Sequence, residues 1–305
     1  MFLSNGLLTL LLLLLPFGLL AFAHIANGAR GHQVGCVGFL LFTMFLWGLA
    51  VTLFQQGIIL DGIGVVAASC IPLFLSTQSW RTWKAQEEHR PLRWLYGVIG
   101  FTGSLFFFIE RVPVLQAATI LLTAFFVLLL LHAFGYSEYG FGDWVVERGV
   151  FSTNPLLNDM TYLQLGNNSG AGVNIIFACT ALSGLIGIAT AILCTTVDWK
   201  LRVRVASKVV GLMFAFNVVR IAILVLILHH LPNSRVGEVS MFDLVHHWLA
   251  DLVLFGILFW ALVNVYATMP ELHTNIRRNI ALLNPRTRPT WDPMDTDADL
   301  ERTTA

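Results

Sequence analysis

Arg220 stands inside an apolar run, Val209 to Leu228, that is long enough to cross a bilayer, and no acid lies in that run to neutralise it. A guanidinium in lipid is costly, and by default it marks a functional position. The neighbouring apolar segments supply a thiol, Cys179, and an imidazole, His246 or the adjacent His247. Together these groups suit acyl transfer. A thiolate is a nucleophile whose pKa falls beside a cation, an imidazole can take up and return a proton, and a fixed guanidinium can stabilise the oxyanion formed when a carbonyl is attacked. Asp243 lies one helical turn before His246 and Asp251 one turn after His247, so either acid could orient an imidazole or pair with Arg220.

Each residue also has a plainer reading. A cysteine in an apolar helix is usually a small, inert core residue, which is the role expected of Cys36, Cys70 and Cys194. Histidines near span ends, such as His229 and His230, are more often interfacial than catalytic. Arg220 on its own could be a structural charge bonded to backbone carbonyls, or a transporter's gate. Adjacent histidines project about 100° apart on a helix and cannot chelate one ion, so no metal site is expected. No cofactor motif is present either.

The elements that must position these groups are membrane helices. Residues are 56% hydrophobic and 12% charged, and the mean hydropathy is +0.74, far from the balance of a soluble domain. Apolar runs at about 6–26, 34–54, 57–76, 93–110, 113–134, 172–194, 208–230 and 242–266 predict an all-α, polytopic bundle of seven or eight spans. The first run resembles a signal peptide but lacks a positive leading segment, and it is read as a span. This gives a membrane domain over 1–266, with its catalytic part at about 135–266, and a cytoplasmic tail, 267–305, expected to be poorly ordered. Net charge is zero and no basic run tracks a phosphate backbone, so nucleic acid is not an expected partner.

Basic residues favour the cytoplasmic side. The segment 195–208 and the tail are rich in Lys and Arg, whereas the loops 135–171 and 231–241 are not. Arg81 to Arg93 should also be cytoplasmic, but two full spans between it and residue 135 would put both loops on one side. Either 93–110 and 113–134 are not both full spans, with Glu110-Arg111-Val112-Pro113 as a re-entrant turn, or one loop breaks the rule. In the last three spans, Cys179, Arg220 and His246 fall roughly 10, 15 and 6 Å from the same membrane face at 1.5 Å per residue.

At these residues the chain resembles the exosortase and archaeosortase family of membrane cysteine transpeptidases, most closely its archaeosortase A group. The likeness lies in Phe177-Ala178-Cys179-Thr180-Ala181, in Asn217-Val218-Val219-Arg220 and in a histidine near the start of the last span. It extends to Glu110-Arg111-Val112-Pro113, to Gly135-Tyr136, and to Phe54-Gln55-Gln56-Gly57 with Asp61-Gly62, covering most of residues 45–265. In some archaeal members the third catalytic position is Arg, whereas the last span here offers only His246 and His247. Ala250, four residues after His246, favours His246.

The resemblance implies a plasma-membrane protease with its site toward the outer face. Cys179 would be the nucleophile, Arg220 the oxyanion or thiolate stabiliser, and His246 the acid and base with His247 as alternate. Asn217 and Asp243 would support them. The implied substrates are exported proteins that end in a short motif, a transmembrane helix and a basic cluster, with the new carboxyl end passed to a lipid or surface acceptor. The competing class is a transporter in which Arg220 and His246 handle an anion or protons. Relays usually place acids within several spans, whereas Asp61, Glu110, Asp243 and Asp251 lie mostly near span ends, and no inverted repeat is visible.

Overall fold

Hydrocarbon offers no water to a free N–H or C=O, so apolar segments of this length must bond their backbones internally. The computed structural model describes residues 2–26, 28–147, 160–166, 172–176, 180–231, 234–236, 239–240 and 250–282, and it is mostly helical. The helices are α1 (Phe2–Ile25), α2 (Ala29–Gln55), α3 (Ile59–Ala85), α4 (Arg90–Arg111), α5 (Pro113–Ala133), α6 (Leu182–Leu193), α7 (Trp199–His230), α8 (Ala250–Thr268) and α9 (Pro270–Leu282). Among the described residues, five helices are long and apolar enough to cross a membrane: α2, α3, α4, α5 and α7.

Small residues and one polar chain join the first four helices. Gly97, Gly100 and Gly103 recur every third residue along α4 and face His24, Ala21 and Phe17 of α1. Such small residues let helix backbones approach in lipid, where packing rather than water exclusion drives association. The backbone N–H of His89 donates to His32 Nε2 at 3.2 Å, which leaves the His32 proton on Nδ1 to be donated to Tyr96 Oη at 3.0 Å. Tyr96 in turn donates to Ser79 Oγ at 2.8 Å and Ser79 to the Leu75 carbonyl at 2.7 Å. Every polar group in the chain has a partner, as burial demands. Leu20, Phe39, Leu92 and the Tyr96 ring fill the surrounding core.

The direction of each helix follows from α7, whose 32 residues span about 48 Å. The Asp198 carboxylate caps its start by accepting from the N–H groups of Lys200 and Leu201 at 2.9 and 3.2 Å. Arg202, in its first turn, lines one cavity with Arg93 of α4. At the far end, His230 lies 2.7 Å from the Tyr136 hydroxyl just after α5. Hence α4 begins at one end of α7 and α5 finishes at the other, so the two together run from one end of α7 to the other. They are joined by Val112, an extended residue with φ −95° and ψ 106°, and by Pro113, which lacks the N–H needed to continue a helix. This removes the topological conflict in the sequence reading, because Arg81 to Arg93 and 195–208 share one end and the loop from 134 lies at the other.

Two expectations change. The span at 172–194 is not one helix, since Gly172–Ile176 is a strand and only Leu182–Leu193 is helical. β1 (Gly140–Glu147), β2 (Met160–Gly166) and β3 (Gly172–Ile176) form an antiparallel sheet in the order β1-β2-β3, with Leu163 opposite Ile175 and Gln164 opposite Asn174. Leu163, Leu165 and Ile175 are buried while Gln164 and Asn174 are exposed, the two-residue period of a half-buried strand. The pair β4 (Arg235–Val236) and β5 (Val239–Ser240) follows α7. In the tail expected to be poorly ordered, residues 270–282 form α9, whose Glu271 accepts the Thr196 N–H through both carboxylate oxygens at 2.9 and 3.0 Å.

A side chain at Gly100 would meet the Ala21 backbone, which cannot move aside, whereas one at Gly64 of α3 would enter open space. Gly100→Ala should therefore cost about 1–3 kcal/mol, and Gly64→Ala should be neutral or add up to about 1 kcal/mol. Thermal unfolding in detergent compares the two, and equal midpoints would contradict the close approach.

His89 caps α4 by accepting the Leu92 N–H on Nδ1 at 3.1 Å. Burial, followed by the nearby His32 and Arg278, holds its pKa down from 6.5 to about 4. The unfolded chain takes up this proton as pH falls through 6.5 and the folded protein does not. Stability present above that pH is therefore lost between 6.5 and about 4. His89→Asn, which can still cap, should flatten that part of the stability profile; an unchanged slope would show that His89 is already charged in the fold.

Candidate active site

Of the residues singled out in the sequence, Arg220 and Asn217 are described, while Cys179, Asp243, His246 and His247 lie outside the described residues. Around α7, Val218, Ile221, Ala222, Leu224 and Val225 are buried and Phe216, Val219 and Ile223 are exposed. Arg220 falls between these two arcs, half-buried and about 60° from Asn217 at 100° per residue. Asn217 is 1% exposed. The pair therefore sets an amide in the packed interior and a permanent cation at the boundary between protein and lipid.

The flanks of Cys179 are also described. β3 ends at Ile176 and α6 begins at Leu182, so in the sequence Cys179 falls among the five residues between them. Ile175, before the link, and Leu182, after it, share one apolar cluster with Val218, Ile221 and Ala222 of α7. Both anchors of the link thus pack in the cluster formed by the stretch of α7 that carries Arg220. Within the link Thr180 is buried, and Ala181 adopts the left-handed region with φ 53° and ψ 18°. That conformation costs a non-glycine residue about 1–2 kcal/mol and persists only where surrounding structure imposes it.

The helix after the histidines runs antiparallel to α7. Ala261 and Val265 of α8 pack with Val205, Val209 and Met213. Ala250 lies roughly 16 Å from Ala261 toward the far end, and Arg220 roughly 10 Å from Met213 in the same direction. The start of α8 is therefore near the level of Arg220.

A second polar group, which the sequence reading treated as interfacial, caps this end. Tyr139 Oη lies 2.9 Å from His229 Nδ1, Tyr136 Oη 2.7 Å from His230 Nε2, and His132 Nε2 donates to the Tyr139 carbonyl at 2.8 Å. The two tyrosines, three residues apart, match the two histidines that end α7, so the cluster ties the end of α5 to the end of α7. Among the described residues no group of three or more His, Cys, Asp and Glu could hold a metal ion.

Fold and composition together define a helical membrane protein. No family model, curated protein or solved structure matches the chain.

Because Tyr139 is only 3% exposed, Tyr139→Phe should lose a hydrogen bond worth about 0.5–1.5 kcal/mol and loosen the end of α7. Hydrogen exchange over residues 226–231 should rise in this variant. Unchanged exchange would mean that apolar packing alone holds the two helix ends together.

Proposed function

We propose that this protein is a membrane-embedded cysteine transpeptidase that cleaves C-terminal sorting signals of exported proteins. The observation that carries the reading is the packing of both flanks of Cys179 in one cluster with the turns of α7 around Arg220. The left-handed Ala181 two residues after the thiol adds support, since imposed backbone strain concentrates at functional sites.

In the reaction, the Cys179 thiolate attacks the scissile carbonyl and Arg220 stabilises the oxyanion. His246 protonates the departing amine, which leaves a thioester on the enzyme. His246 then takes a proton from a lipid or surface acceptor as that group attacks the thioester, and the thiolate is released. Asn217 and Asp243 orient the set, and His247 is the alternate base. With the basic end in the cytoplasm, the thiol link faces outward at the plasma membrane.

Cys179→Ala should abolish processing of the substrate's C-terminal signal, while replacing Cys36, Cys70 and Cys194 together by Ala should keep it. The opposite pattern in an immunoblot assay, or processing retained in both variants, would remove Cys179 as the nucleophile, whereas no processing by the unaltered protein would favour the transporter reading. Arg220→Lys should lower turnover about 100- to 1000-fold, because an ammonium does not reproduce the planar fork. Near-normal turnover would make Arg220 a generic structural cation. His246→Ala should be more damaging than His247→Ala, and the reverse order would shift the base by one residue.

A further inference from the structure

At the basic end, far along α7 from the thiol link, lies a cavity of about 480 Å³ whose lining includes His24, Glu88, Arg90, Arg93, Arg202 and Glu271. Three guanidinium groups face two carboxylates, and both carboxylates are already engaged. Arg93 donates to Glu88 at 2.9 Å and to the His24 carbonyl at 2.8 Å, and Glu271 accepts the Thr196 N–H through both oxygens. Net positive charge therefore remains for a ligand.

Arg202 is prepared for one. Its Nη1 donates to the Leu193 and Thr195 carbonyls, each at 2.7 Å, and its guanidinium sits over the Trp199 ring at 5.5 Å. These contacts fix the plane of the group. Its Nε–H is buried with no hydrogen-bond partner among the described residues, a state that costs free energy unless an acceptor completes it. A planar guanidinium held in this way presents its remaining edge to a tetrahedral or planar anion. The cavity opens where α1 and α6 end and α4 begins, beside the exposed Trp199. Tryptophan at a span end marks the level of lipid headgroups, and basic pockets between helices at that level suit anionic heads.

We propose that this cavity binds a phosphate group through Arg202, Arg90 and Arg93. The phosphate belongs either to an anionic phospholipid headgroup or to a free phosphate ion. This site is independent of the thiol chemistry proposed above, and its test does not involve processing.

The test is the shift in thermal unfolding midpoint of the full-length protein in detergent, measured on adding phosphatidylglycerol, phosphatidylcholine or inorganic phosphate separately. Phosphatidylglycerol should raise the midpoint by at least about 3 °C and phosphatidylcholine should not. A rise with inorganic phosphate as well would identify a free phosphate as a ligand, whereas a rise with the anionic lipid alone would identify the headgroup. Arg202→Gln and Arg90→Gln should each lose most of the shift, and Lys84→Gln, on the exposed end of α3, should keep it. If Arg202→Gln does not fold, Arg90→Gln at the rim decides. No shift with either anion, or a shift that survives Arg90→Gln or falls equally in Lys84→Gln, overturns the proposal.

Discussion

An unbroken helix from Trp199 to His230 keeps two chemically different ends of this protein about 48 Å apart. At one end guanidinium groups are pinned to carbonyls and to the Glu88 carboxylate around a cavity. At the other, imidazoles and phenols join α5 to α7 beneath a small sheet. The elements packed on this helix take their direction from it. α6 and α8 run back along it, the sheet rests on its far third, and Glu271 of α9 is held to Thr196, just before its start. Water is absent from the hydrocarbon, so the helix must be continuous wherever it meets lipid. On either side of Cys179 in the sequence, Ile175 and Leu182 pack in one apolar cluster with this helix.

Much of the helical architecture was legible because long apolar runs admit only one backbone solution in lipid. The sequence also isolated Arg220, since a cation in an apolar run cannot pass as composition noise. What stayed hidden has a common cause. Where nearly every residue is apolar, periodicity loses contrast, so Val173-Asn174-Ile175 merged into the following helix although exposed Asn174 between two inward residues is a strand pattern. The shared direction of α4 and α5 was hidden for another reason. Val112 and Pro113 announce a break, but a break alone does not say whether the chain reverses. Likewise His229 and His230 read as interfacial because their partners, Tyr139 and Tyr136, lie 90 and 94 residues away.

The location of Arg220 bears on how a cation is tolerated there. Its position on α7 borders the exposed arc of Phe216, Val219 and Ile223 but adjoins buried Asn217 and Leu224. A charge at such a boundary has polar company on one side and low dielectric on the other, which strengthens its effect on any group nearby. A thiol held within reach would be the group most altered, because its ionised form is the one a guanidinium favours. The basic end uses the same residue type differently. There, arginines are fixed by carbonyls and the Glu88 carboxylate around a cavity.

The central claim is that Arg220 activates the Cys179 thiol. Its most direct measure is the rate at which methyl methanethiosulfonate modifies each cysteine of the native protein near pH 7, followed site by site by mass spectrometry. Cys179 should react faster than the exposed Cys70, and Arg220→Gln should slow Cys179 while leaving Cys70 unchanged. A Cys179 that reacts no faster than Cys70, or whose rate is indifferent to Arg220→Gln, would contradict the account.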